Sequence, residues 1–349
     1  MHMADALLSP GVAATMYAAS GITAGISIYK LKKDDEAQKL PVMAVTAALV
    51  FAGQMINYSI PGTGSSGHLC GGMLLSALLG PQAGFLSMIV ILAIQCLFFA
   101  DGGLMALGAN IWNMAFYGCF VGYYLIWRPI VKSHLFGEDK AGQRLRIAAA
   151  SVIGCVATLQ LGAFSVVLET SLSGITELPF GAFAALMQPI HLAIGLVEGF
   201  ITSAVLLFVY ETRPELLQEI EAGESKNTKR SLKTVVAILA AVAVVVGGGL
   251  SLLASSDPDG LEWALFGNAE KGYAGNMALD EESFGVTSKA ADTAGAIQEK
   301  TSFLPDYAFP ESESSLGTTV SGLVGSVMVA GAAVLICIAG GFFRRKKKI

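Results

Sequence analysis

The chain has 349 residues, 54% of them hydrophobic and only 14% charged, with a formal net charge of −5 and a mean hydropathy of +0.62. A soluble domain carries nearer ~25% charged residues, and this acidic balance lacks the basic footprint that nucleic acid requires. These values exclude a water-soluble enzyme or a nucleic-acid binder and predict an all-α, polytopic membrane protein.

In chain order, apolar runs near the ~20-residue length of a membrane helix fall at 11–29, 41–60, 69–80, 82–100, 108–127, 147–169, 188–210, 234–255 and 319–343. The first seven form a bundle within residues 1–210. The run at 69–80 is short for a full crossing and is expected as a half-helix whose end is free to line a site. Forty glycines suit helices that approach closely in lipid. Residues 211–232, opening on ETRPELLQEIEAG, read as a charged cytoplasmic linker, helical at first. Residues 233–349 read as a two-span hairpin around an outer segment holding twelve acidic and three basic residues. That segment begins with the Pro-Asp-Gly turn of SSDPDGLEW, and the chain closes on RRKKK, an anchor or a surface for anionic membrane lipid.

Lys and Arg number 22, and 19 of them form four clusters, at 30–39, 128–146, 213–233 and 344–348. With nine spans all four clusters land on one side, which the positive-inside bias places in the cytoplasm of an inner or plasma membrane. The N-terminus and the loops at 61–68, 101–107 and 170–187 then share the outer face, and the C-terminus is cytoplasmic. The five cysteines (Cys70, Cys96, Cys119, Cys155, Cys337) lie in or near these runs without paired spacing, which favours packing roles over disulfides or a thiolate metal site. No GxxxxGK[ST] loop occurs, so no ATP site is expected on this chain.

The chain opens MHMADALLSP, with no basic residue before Lys30. A secretory leader starts with positive charge and ends at a small-residue cleavage site; this terminus is expected to stay attached. An α-amine, the next peptide nitrogen and the Nδ1 of a residue-2 histidine close two fused chelate rings on one ion. A second imidazole fills the fourth corner. Planar nitrogen coordination suits Ni(II) or Cu(II), with Co(II) as a further candidate, and is wrong for Mg, Ca or tetrahedral Zn. The plain alternative for His2 is a residue in a frayed end.

His68 lies in NYSIPGTGSSGHLCGG, a Pro- and Gly-rich loop able to fold inward, and irregular backbone at membrane depth is tolerated where it lines a cavity. His191 and Glu198, in PIHLAIGLVEGFIT, share a helix face, with a structural hydrogen bond preferred to direct ligation. Asp101, Asn110 and Asn113 stand beside the outer face. The asparagines are expected to hold loops, and Asp101 to orient an imidazole or merely cap a helix. His134 sits among charges in a cytoplasmic loop. Ala14 and Ala18 make a small-xxx-small face for close helix contact, within the chain or with a partner.

MHMADALLSP, GHLCGGMLLSALLGPQAGF, DGGLMALGANIWNMAFYG and HLAIGLVEGFIT together resemble the CbiM/NikM family, the substrate-capture (S) components of energy-coupling-factor transporters for cobalt and nickel. The distal part, with DPDGLE between two spans, resembles the CbiN/NikN-type PDGLE domain. The resemblance implies a fused protein that is not an enzyme and whose substrate is Ni(II) or Co(II). It implies an outer-face site made by the Met1 amine, the His2 backbone nitrogen and imidazole, and the His68 imidazole, with Asp5, Asp101, Asn110 and His191 as candidates for support. It also implies a transmembrane T component and two ATPase subunits as partners. Nickel is favoured, the alternative being cobalt import for cobalamin biosynthesis. A metal-sensing membrane protein and an intramembrane metalloenzyme are the rival classes, the latter lacking any HExxH motif.

Overall fold

The computed structural model describes residues 1–32, 40–176, 178–220, 231–272, 288–309 and 316–339. The chain is mainly helical. After a 3-10 turn at Asp5–Leu7, the helices of the first part are α1 (Pro10–Leu31), α2 (Leu40–Gln54), α3 (Gly72–Leu79), α4 (Pro81–Phe99), α5 (Leu107–Ile111), a π-wound stretch at Trp112–Trp127, α6 (Arg128–Val131), α7 (Lys140–Ser173) and α8 (Phe180–Thr212). The second part adds α9 (Leu232–Gly248), α10 (Gly260–Phe266), α11 (Lys289–Thr301) and α12 (Leu316–Ala339). Among the described residues, six helices are long and apolar enough to cross a membrane: Pro10–Leu31, Pro81–Phe99, Lys140–Ser173, Phe180–Thr212, Leu232–Leu253 and Leu316–Ile336.

Several boundaries differ from the hydropathy reading. The 188–210 run extends back to Phe180 because Pro189 is accommodated inside α8, which shortens the expected 170–187 loop to residues 174–179. The 41–60 run stops being helical at Gln54. Residues Tyr58–Ile60 (β1) and Ser65–Gly67 (β2) form an antiparallel hairpin with Tyr58 opposite Gly67, the one departure from all-α among the described residues. Its turn is set by Pro61 and by Gly62 and Gly64, whose φ of 78° and 70° lie where glycine is the economical residue. Over residues 213–220 the linker is not α-helical. After Thr212 it makes a 3-10 turn at Pro214–Leu216 and docks on the bundle, with Gln218 N–H donating to Ala77 O at 2.8 Å and Trp127 Nε1 to Gln218 O at 3.1 Å. The RRKKK tail and the side chain of Cys337 lie outside the described residues; Cys70, Cys96, Cys119 and Cys155 are buried and free.

α3 is only eight residues long, roughly 12 Å at 1.5 Å per residue. It nevertheless runs from the His68 loop to Gly80, whose neighbour in space is Gln218. Its non-helical approach is paired inside the protein, as buried backbone must be. Cys70 and Gly71 N–H groups donate to Glu198 at 2.8 and 2.9 Å, and Gln54 Nε2 donates to Cys70 O at 2.7 Å. Glu198 thus makes the structural hydrogen bonds expected of it. α3 packs on the π-wound stretch at Gly72 and Gly118; a Cβ on Gly118 would lie 2.8 Å from the Gly72 Cα. α7 and α8 pack along one another, while α9 and α12 pack on α2 and on each other.

The two ends of the bundle differ in chemistry. At one end Glu211 binds Lys140 at 2.7 Å and Arg144 at 2.6 Å, and Glu219 binds Arg128 at 3.3 Å and also Lys132. At the other end of α4 and α8 lie the N-terminus, the hairpin, the 100–107 loop and the segment after Ala254.

Candidate metal centre

The first residues are held from several elements at once. Asn110, at the start of the α5–π run, accepts from Met3 N–H at 2.7 Å and donates to Met3 O at 3.2 Å. One side-chain amide therefore serves both backbone groups of a buried residue. Gly103 N–H also donates to Met3 O at 2.9 Å. Asp5 Oδ1 accepts from Ala106 N–H at 2.9 Å, closing the 100–107 loop over the terminus. Burial, the largest influence on Asp5, raises its carboxyl above the ordinary value. Met1, Met3, Leu7 and Leu8 are buried in the hydrophobic core, so the terminus is packed rather than frayed.

This packing brings His2 onto His68. Their ring centroids are 5.2 Å apart and the planes differ by 19°. His68 follows β2 directly, and its Nδ1 lies 3.0 Å from Leu69 O; because a carbonyl only accepts, Nδ1 carries the proton and Nε2 keeps its lone pair. Burial first, then the positive charges of the Met1 amine and His2, lower its pKa from 6.5 to about 4. The imidazole is therefore neutral near pH 7, the form a metal needs.

His2 Nδ1 faces Asp101 Oδ1 at 3.0 Å, and its Nε2 is buried without a hydrogen-bond partner among the described residues. Asp101 accepts from the Tyr307 hydroxyl at 2.5 Å through its other oxygen. Burial disfavours the Asp101 carboxylate, but the charge and hydrogen bond of His2 and the hydroxyl of Tyr307 outweigh it, leaving a pKa of about 2.

The Met1 amine meets Asp259 Oδ2 at 2.9 Å. Burial opposes charge on Asp259, yet the amine, the Glu262 N–H and His68 hold its carboxyl well below the usual range. Met1, His68, Cys70, His191 and Asp259 line one small cavity of about 10 Å³, the scale of a single water. His191 Nδ1 donates to Met187 O at 2.8 Å, which leaves Nε2, buried and unpartnered among the described residues, with its lone pair. A larger cleft of about 660 Å³ reaches His2 from outside the cavity and is lined by Asp5, Asp101, Asp259, Glu262, Asp292 and Asp306.

No three His, Cys, Asp or Glu side chains among the described residues are arranged to hold a metal ion. Asn113 lies deeper, donating to Glu169 at 2.8 Å. Ala14 and Ala18 are away from the site and exposed, so their small face does not pack within the chain. His134 is exposed and pairs with Glu138. Asp259 and Tyr307 were not legible as site residues. The Pro-Asp-Gly turn marked the place of the first, but nothing local joins residue 259 to residue 1.

This chain resembles known proteins along most of its length. The family described as cobalt uptake substrate-specific transmembrane region matches residues 2–216, and the PDGLE domain matches residues 233–340. An Archaeoglobus fulgidus protein described as "Putative fused nickel transport protein NikMN" is 36% identical over 94% of this chain and 95% of its own length. The cobalt transport protein CbiM of Sorangium cellulosum is 32% identical over 63% of this chain and 96% of its own. A crystal structure of a truncated transition metal transporter, 32% identical, superposes with a TM-score of 0.52 over 60% of this chain and 99% of that one. A membrane bundle whose first residues are packed against a loop histidine, continuous with a PDGLE segment, therefore belongs to the CbiM family of cobalt uptake substrate-specific transmembrane proteins, fused to a PDGLE domain.

Proposed function

We propose that this chain is the metal-capturing membrane component of an ATP-driven energy-coupling-factor importer, with Ni(II) as its substrate. The donor set is the Met1 amine, the His2 peptide nitrogen and Nδ1, and the His68 imidazole. The observation that carries this reading is the stacking of His2 on His68 at 5.2 Å beside an amine that shares a cavity with His68. Binding requires the amine and the peptide nitrogen each to give a proton to solvent, so affinity falls with pH. Chelation through Nδ1 also requires the His2 ring to turn about Cβ–Cγ and leave Asp101. The acidic cleft at His2 is the ion's approach, and its carboxylates favour a cation over the anions around it.

Nickel is favoured over cobalt because a relative that matches both parts of this chain is described as "Putative fused nickel transport protein NikMN", whereas a relative described as a cobalt transport protein matches 63% of this chain. We count seven crossings in residues 1–210, with α3 and the backbone leading into it as the third, then a linker at 211–232 and a two-crossing domain at 233–349. The site and N-terminus face outward, and the basic end, with the C-terminus, faces the cytoplasm. The exposed Ala14–Ala18 face of α1 suits a helix of the transmembrane T component, and two ATPase subunits supply hydrolysis.

Uptake of radioactive nickel and cobalt by cells carrying the transporter tests this reading. An N-terminal extension that blocks the amine, and His2→Ala, are expected to abolish nickel uptake, while a C-terminal tag leaves it intact. Wild-type uptake by the extended protein would overturn the donor set.

A further inference from the structure

The two parts of the chain meet at one carboxylate. Asp259 Oδ1 accepts from the N–H groups of Leu261 and Glu262 at 2.9 and 2.8 Å, capping α10, while Oδ2 accepts from the Met1 amine at 2.9 Å. The capping bonds fix the carboxylate to a helix start. That helix start is itself fixed to the first part of the chain. Ser66 N–H donates to Pro258 O at 2.8 Å, and Ser66 Oγ to Asp257 O at 2.7 Å, so the PDGLE turn extends the hairpin that carries His68. On its other side Gly260 presses on α8, where a Cβ would lie 3.1 Å from His191 Cε1.

Resting on the donor set proposed above, we propose that Asp259 is the positioning residue of the metal site, holding the Met1 amine beside His68 without itself binding the ion. A coordinated amine keeps two N–H bonds. When the ammonium gives one proton to solvent and its lone pair forms the bond to the metal, another N–H continues to donate to Oδ2. The carboxylate stays outside the donor set, sets the direction of the amine and supplies negative charge beside a cationic chelate. The PDGLE segment is then a structural piece of the capture site. Outer partners of metal ligands typically contribute about 10- to 100-fold in affinity, and a partner anchored by two backbone bonds belongs to that class.

Asp259→Asn separates this role from folding, because asparagine caps a helix as well as aspartate but presents an N–H₂ donor toward the amine. In the purified full-length protein, D259N is expected to bind Ni(II) about 10- to 100-fold more weakly with an unchanged ligand-field absorption band and an unchanged melting temperature without metal. Acylation of the α-amine in the metal-free protein, read by mass spectrometry, should become several-fold faster. Asp259→Ala, which also loses the cap, should show the same affinity loss with a lower melting temperature. Wild-type affinity in D259N alongside lost binding in His2→Ala would overturn the role of Asp259 and spare the donor set. A shifted absorption band would overturn it by placing the carboxylate on the ion. Wild-type binding in His2→Ala would overturn the donor set and this proposal with it.

Discussion

Tyr307, in the distal part of the chain, donates its hydroxyl to Asp101 at 2.5 Å, and the opposite oxygen of that carboxylate lies 3.0 Å from His2 Nδ1. Residues separated by 206 positions thus act on the second residue of the protein. Tyr307 also stacks on Phe99 with centroids 5.0 Å apart, so Tyr307→Phe removes the hydroxyl and keeps the packing. A hydrogen bond to a charged group contributes about 1.5–3 kcal/mol. Metal-free unfolding of Tyr307→Phe should show a stability loss of about 1.5–3 kcal/mol, the retained ring keeping its stacking on Phe99.

Asn110→Ala removes the partner of the Met3 N–H at a buried position, while Met3 O keeps the Gly103 N–H. Leaving a buried donor unpaired costs about 1–3 kcal/mol. The variant should melt several degrees lower and release its N-terminus, which a protease or an amine-reactive reagent would detect. Asn110→Asp restores only the acceptor for Met3 N–H and should fall between the two.

Gly103→Ala tests how tightly the 100–107 loop closes over the terminus. A Cβ there would overlap the Asp5 carboxylate and sit 2.5 Å from the Asp5 amide nitrogen. The nitrogen is backbone and the carboxylate is held by the Ala106 N–H, so the loop has to lift. Nickel uptake should drop to near background while the protein still reaches the membrane in normal amount. Normal uptake would show that the closed loop is dispensable.

His68 gives the site a pH signature of its own. It titrates near 6.5 when unfolded and near 4 when folded, so between those values the unfolded chain binds the extra proton. Its contribution to stability is complete above pH 6.5 and is lost as pH falls toward 4. Metal-free thermal melts should show the wild type losing more stability than His68→Gln between pH 7 and 4. Equal slopes for the two proteins would count against a neutral, buried imidazole.

Much of the bundle was legible because hydropathy and charge act locally along the chain. The crossings of α1, α4, α7, α9 and α12 announce themselves as apolar runs, and the basic clusters mark one end. The nearness of His2 to His68 was anticipated by chelate chemistry together with the family resemblance. The β1–β2 hairpin was hidden inside a run that began apolar, since hydropathy does not separate a helix from the short strand after it. The seventh expected run began at 188, beside Pro189, whereas packing against α7 carries α8 back through that proline to Phe180. Asp259 and Tyr307 escaped for a different reason: their partners are set by tertiary folding, and no periodicity encodes a contact across 258 or 206 positions.

The Met1–Asp259 contact also bears on how the protein is made. The Met1 amine waits for its carboxylate until the chain has grown past position 259. During that interval the amine is open to acylation or trimming, and a product truncated before α10 would carry the leading histidine without the group that secures it. Assembly of the proposed capture site is therefore a late event in biogenesis, placed after most of the helices have been synthesised.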